Sequence, residues 1–173
     1  MRVVNNTFLI KPLNLSELEV LIQAISTNEE PGFVTIPNRY RNQMFVDYLK
    51  TNLKESLHQN PEDYLFYTIW LIIRLEDQCS VGHMFFNGSP NLAGEVELYF
   101  EVYSDIQQDI IIKESMDAIT VWASNIEEIE TIKTIVPAQN PHLSKSMVKT
   151  GFEKSSDFQY HENWIWKNEK ITQ

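Results

Sequence analysis

The chain is short of four things. It has one cysteine, Cys79, and five glycines in 173 residues, and its 14 Lys and Arg against 24 Asp and Glu give a formal net charge of -10. Its longest purely apolar run is the five residues from Ile69 to Ile73. A lone cysteine forms no intramolecular disulfide, and nothing points to an oxidising compartment. A deficit of bases argues against nucleic acid, whose phosphate backbone is bound by clustered Lys and Arg, and suits a cationic partner better. Five apolar residues fall far short of the roughly 20 that span a bilayer, and Asn5-Asn6 breaks any signal-peptide run before it starts. The expectation is a cytoplasmic protein with neither nucleic acid nor a membrane as partner.

What is present is enough for a packed interior. The apolar share is 43% and the aromatic share 12%, and the length fits one domain, residues 1–173, with one core. The charge is unevenly placed: from Glu95 to Glu130 ten acids stand against one base, Lys113, so this stretch alone holds -9. That concentration reads as a statement about one site.

The apolar periodicity gives the order β-α-α-β-β-β-α-β-α-β-β. Thr7 to Leu13 reads as a strand, followed by a helix whose capping box is Ser16-Glu17-Leu18-Glu19. A second helix carries Met44, Phe45, Tyr48, Leu49, Leu53 and Leu57 until Asn60-Pro61 ends it. Tyr64 to Leu75 and Ser80 to Phe86 form a hairpin across Glu76-Asp77-Gln78. Glu95 to Val102 alternates strictly and is the clearest strand. A long helix begins near Gln108 or Asp109 on the spacing of Ile112, Met116, Ile119, Ala123 and Ile126. Thr131 to Val136 is a short strand, Pro141 to Thr150 a helix capped by Asn140 and closed at Gly151, and Phe152 to Gln159 and Asn163 to Lys167 are closing strands.

That order, with Leu9-Ile10-Lys11-Pro12-Leu13, Val81-Gly82-His83-Met84-Phe85-Phe86-Asn87-Gly88, Val96-Glu97-Leu98-Tyr99-Phe100 and the run from Asn140 to Gly151-Phe152, resembles the GNAT superfamily of acetyl-CoA-dependent N-acetyltransferases, in the branch that acetylates ribosomal-protein N-termini. The resemblance runs from about Thr7 to Lys167. It implies an α/β GNAT fold, a mixed sheet of about seven strands flanked by about four helices. It also implies acetyl-CoA as co-substrate and a primary amine as acceptor: a protein N-terminus, a polyamine or an aminoglycoside-like molecule. The sequence leaves a homodimer open.

By the same resemblance, the backbone of Phe100, Glu101 and Val102 pairs with the pantetheine arm, and Gln107, Gln108, Asp109, Ile110, Ile111 and Ile112 form the turn that cradles the pyrophosphate, with Asn140 and Lys145 nearby. The turn departs from the family pattern, because Ile110 stands for a glycine and Ile112 for a glycine or alanine. Glycine lets phosphate approach a helix N-terminus, so two isoleucines are expected to obstruct it, and Asp105 and Asp109 put carboxylates where phosphates would lie. A second reading follows, a GNAT-fold binding or regulatory protein that no longer holds acetyl-CoA. Lys113, Lys145 and Lys149 supply charge along the cofactor edge or are simply solvated helix surface.

For the chemistry, Glu97 occupies the family's glutamate position as a general base acting through water, and Tyr99 shares its face; the same residues read equally as the solvent side of a half-exposed strand. The tyrosine that many family members use to protonate the leaving thiolate is Met147 here, which leaves Ser144 or Ser146, each also a common surface residue of a helix. His58, His83, His142 and His161 show no metal spacing, and no metal is expected.

Overall fold

The computed structural model describes residues 3–4, 7–38, 41, 43–103, 107–138 and 141–170. Two short strands open it, β1 (Val3–Val4) and β2 (Phe8–Pro12). Helix α1 (Leu15–Thr27) follows. Its capping box is formed two residues earlier than expected: Asn14, extended at φ -77 and ψ 172, accepts from the Glu17 N–H, and the Glu17 carboxylate accepts from the Asn14 N–H. Asn14 displaces Ser16 from the role because its backbone leaves the helix there while Ser16 already lies inside it.

The second helical body is α2 (Gln43–Tyr48), a π-helical stretch (Leu49–Lys54) and α3 (Glu55–Gln59), without a break. Its apolar residues Leu49, Leu53 and Leu57 repeat every fourth position and are all buried. In an α-helix such a repeat overshoots by about 40° per step, and the wider π turns keep it in line with the sheet. Tyr64–Phe66 is a single 3-10 turn rather than the start of a strand; β3 is Ile69–Arg74. β4 (Cys79–Phe86), β5 (Glu95–Val102), α4 (Gln108–Ala123), β6 (Thr131–Pro137), α5 (Pro141–Lys149), β7 (Glu153–Phe158) and β8 (His161–Lys167) complete the chain.

All strands join one sheet in the order β1-β2-β3-β4-β5-β6-β8-β7, the seven expected plus the two-residue β1. Every neighbouring pair is antiparallel except β5 and β6. Two apolar clusters sit on its opposite faces. One gathers Ile10, Trp70, Met84, Leu98, Ile132 and Trp164 under α4 and α5; the other gathers Leu13, Ile69, Leu71 and Ile73 under α1 and the α2–α3 body. β3 supplies both clusters, which is why its apolar run is continuous instead of alternating. Gly82 is fixed by β5: a Cβ there would lie 2.6 Å from the Glu101 carbonyl oxygen. No described helix is long and apolar enough to cross a membrane.

Candidate active site

β5 and β6 run side by side for three rungs, Glu95 with Thr131, Val96 with Ile132 and Glu97 with Lys133, and then part. Beyond Glu97, β5 continues along β4 through the pairs Phe86–Leu98 to Gly82–Val102, while β6 continues along β8 to Pro137–His161. The Glu97 carbonyl and the Tyr103 N–H bond toward β4. Because successive residues of a strand direct their peptide groups to alternate sides, Phe100 and Val102 aim their N–H and C=O groups at the β6 side, where no strand among the described residues pairs with them. A cleft with strand-like hydrogen-bonding groups on its wall is the result.

The alternation of β5 places Val96 and Leu98 in the core and Glu95, Glu97, Tyr99 and Glu101 on the other face. Glu97 accepts from Asn87 Nδ2 at 3.0 Å and from the Tyr99 hydroxyl at 3.3 Å. Burial, the Glu97 charge and that hydrogen bond push the Tyr99 phenol up from its ordinary value, so it stays protonated at neutral pH. Tyr99 stacks on Phe85 at 5.3 Å, and Phe85 meets Tyr48 at 5.2 Å; burial, with the nearby Tyr99, pushes the Tyr48 phenol up to about 12. Lys133 is engaged by Glu95 at 2.6 Å. A cavity of about 260 Å³ opens here, with Glu97, Tyr99, Lys133, Ile135, Asn163 and Trp164 among its walls. It adjoins a shallower depression edged by Pro137, Phe158 and His161.

Glu97 and Tyr99 are thus brought together, and Ser144 is not with them. Ser144 lies on α5, on the opposite face, where its hydroxyl donates to Glu162 Oε2 at 2.7 Å. Glu162 also accepts from Lys154 Nζ at 2.9 Å and Trp164 Nε1 at 3.1 Å, and the Ser144 hydrogen bond, ahead of the others, holds its carboxyl below the usual range. Ser144 is therefore a partner of a buried carboxylate. Ser146 donates to the Asp109 carbonyl at 3.5 Å, and Lys145 edges the groove that holds Ser144 and Glu162. Met147 is fully buried.

The start of α4 departs from expectation. Ile112 does not stand in the way of a phosphate: it and Ile111 are each 1% exposed and pack into the core, because the apolar stripe of α4 turns both toward the sheet. Only Ile110, 47% exposed, stands at the surface. The Ile110 and Ile111 N–H groups both bond the carbonyl of Gln107, which sits left-handed at φ 62. Gln108 and Asp109 lie in the first turn, Asp109 exposed. Asn140 and Asp105 fall outside the described residues.

The acidic stretch is likewise dispersed. Glu95, Glu97 and Glu101 share one face of β5, Asp117 pairs with Lys113 at 2.6 Å on α4, and Glu127, Glu128 and Glu130 lie in the exposed turn before β6. The -9 is several surfaces, joined in sequence and separated by the sheet. Among the described residues, no group of three His, Cys, Asp or Glu side chains could hold a metal ion. Sequence reasoning missed Thr134, Ile135 and Asn163 on the cleft wall. The sign was there: Thr134 interrupts the inward phase of Ile132 and Val136, and Ile135 is a large apolar residue on the outward phase.

No protein-family model and no curated protein sequence matches the chain. Solved structures do, at full length. The ribosomal-protein-S5-alanine acetyltransferase of Vibrio fischeri superposes with a TM-score of 0.70 at 11% identity, over 99% of this chain and 98% of that one. RimL, a ribosomal alpha-N-protein acetyltransferase in complex with coenzyme A, gives 0.62 at 15% identity over 96% of each chain. A spermidine N-acetyltransferase chimera derived from Vibrio cholerae gives 0.62 at 11% identity over 95% and 98%. The fold is that of GNAT-family acetyltransferases.

Proposed function

We propose that the chain transfers an acetyl group from acetyl-CoA to a primary amine that enters from the open face of the sheet. The observation that carries this reading is the parting of β5 and β6 after Glu97 and Lys133. The peptide groups of Phe100 and Val102 offer an extended, amide-bearing arm the pairing of an added strand, and this contact asks nothing of side-chain identity. The bound thioester supplies an activated acyl carbon. The fit is poorer at the other end, where Ile110 and the Asp109 carboxylate flank the first turn of α4.

The rest falls to this chain's own residues. Glu97, held by Asn87 and Tyr99, takes a proton from the incoming amine through water. Before that, the protonated amine is attracted by the same carboxylate and by the Tyr48, Phe85 and Tyr99 rings. The named acceptors of the structural neighbours, ribosomal proteins and spermidine, belong to this amine class. The competing reading, a binding protein without acetyl-CoA, is favoured by Ile110 and Asp109 at the turn and by Met147, fully buried, in place of the tyrosine.

Thermal unfolding with acetyl-CoA, followed by acetylation of an amine panel, tests the reading. Acetyl-CoA at a hundredfold over its Kd raises stability by about 2.7 kcal/mol; no shift at millimolar acetyl-CoA rejects the enzyme in favour of the binding protein. Glu97→Gln should bind acetyl-CoA as the parent does and lose about a hundredfold or more in kcat/KM.

A further inference from the structure

Thr134 occupies the first rung of β6 past its last pair with β5, on the wall of the cleft. It shares the inward phase of Ile132 and Val136, opposite Trp164 of β8, and is 3% exposed. Its Oγ1 is buried with no hydrogen-bond partner among the described residues. A buried hydroxyl without a partner lowers stability, and valine has the same shape with a high strand preference. A threonine here calls for something outside the apo protein to bond.

Other hydroxyls of the cavity wall are engaged within the protein: Tyr99 donates to Glu97, Ser155 donates to the Asn163 carbonyl and Ser156 accepts from Asn163 Nδ2. On α5, Ser144 donates to Glu162 and Ser146 to the Asp109 carbonyl. Met147 carries no proton to give. We propose, resting on the acetyl-transfer reading above, that the Thr134 hydroxyl donates a hydrogen bond to the thioester sulfur and steadies the thiolate as it leaves. The amine nitrogen attacks the acyl carbon, the C–N bond forms, the C–S bond breaks and its electron pair stays on sulfur. The amine's proton leaves through the Glu97 side to solvent, the thiolate regains one from solvent, and Thr134 keeps its own.

The test titrates the thiol of bound CoA by its ultraviolet thiolate absorbance, in the parent, Thr134→Val and Thr134→Ser, alongside the melting temperature of each free protein. With Thr134→Val the bound thiol should titrate about one pH unit higher, a tenfold loss of thiolate preference, the size expected of one hydrogen bond to a charged group. Thr134→Ser should restore the parent titration. The free Thr134→Val protein should melt higher than the parent, since it buries no unpaired hydroxyl. Equal thiol titrations in parent and Thr134→Val overturn the proposal, as does a lower melting temperature, which would mean a structural role for the hydroxyl. If Thr134→Val fails to fold, Thr134→Ala replaces it in the thiol titration. A parent that binds no CoA rejects the acetyl-transfer reading itself, and the inference with it, an outcome distinct from equal titrations in proteins that bind.

Discussion

The two halves of the sheet are made differently. β3 and β4 are covered on both faces, by α4 on one side and by α1 with the α2–α3 body on the other, and their residues are almost all buried. β6 and β8 are covered on one face only and the edge strand β7 is exposed throughout; the open face carries Ile135 and Phe158 into solvent beside Glu97 and Tyr99. β5 is the boundary, with Val96 and Leu98 in the core and its odd-numbered residues outside. The covered half secures the fold, and the open half exposes apolar surface of the kind that marks a binding face.

Truncations should separate the halves by the largest margin. Trp70 is 0% exposed, its ring 5.0 Å from Trp122 and 6.3 Å from Phe86, and its indole N–H donates to the Leu65 carbonyl at 2.8 Å. Trp70→Ala should cost about 3–5 kcal/mol, read as a fall in the denaturant midpoint. Phe158, 66% exposed on the open face, should cost under about 0.5 kcal/mol when truncated. A comparable loss at both positions would mean that the open face is part of the folding core.

The covered half should also carry the strongest pH dependence. His83 lies there against Phe45 at 5.1 Å and Phe85 at 6.3 Å, with Nδ1 2.5 Å from the Tyr103 hydroxyl and Glu101 opposite on β5. Burial lowers its pKa from 6.5 to about 4. A histidine held neutral by folding stabilises the protein fully above its unfolded value, and that stability drains away as pH falls toward the folded value. Roughly 3 kcal/mol should be lost between pH 6.5 and 4. In His83→Phe that slope should vanish from the pH profile of the denaturant midpoint; a slope that persists assigns the titration to other groups.

The same contrast explains what was legible. Elements with one buried face announced themselves, β5 above all, since strict alternation is the mark of a strand wet on one side. The start of β3 did not, because Tyr64 to Phe66 are as aromatic as a strand yet turn within three residues to bring the Leu65 carbonyl to Trp70. Glu97 and Tyr99 were found together because they are two apart on one strand. Ser144 and Glu162 were not, being 18 residues apart and joined only by the packing of α5 on β8. The acidic stretch misled for the converse reason: neighbours in sequence, its residues are dealt to different faces by the strand and by α4.

The smallest effect belongs at the seam where α4 begins. Ile110 is the one isoleucine of its triplet at the surface, and its side chain contributes little to the core that Ile111 and Ile112 fill. Ile110→Gly should therefore cost the helix about 1 kcal/mol or less, while removing the bulk that keeps an anion from the first turn. CoA affinity should rise a few-fold, measured by calorimetry at fixed ionic strength. Asp109→Asn tests the electrostatic half of the same obstacle, since the Asp109 carboxylate repels a pyrophosphate that salt would screen: its gain should shrink at high ionic strength, and the Ile110→Gly gain should not. If neither substitution strengthens CoA binding, the phosphates do not lie at this turn, and the open half of the sheet holds whatever ligand it holds by the β5 edge alone.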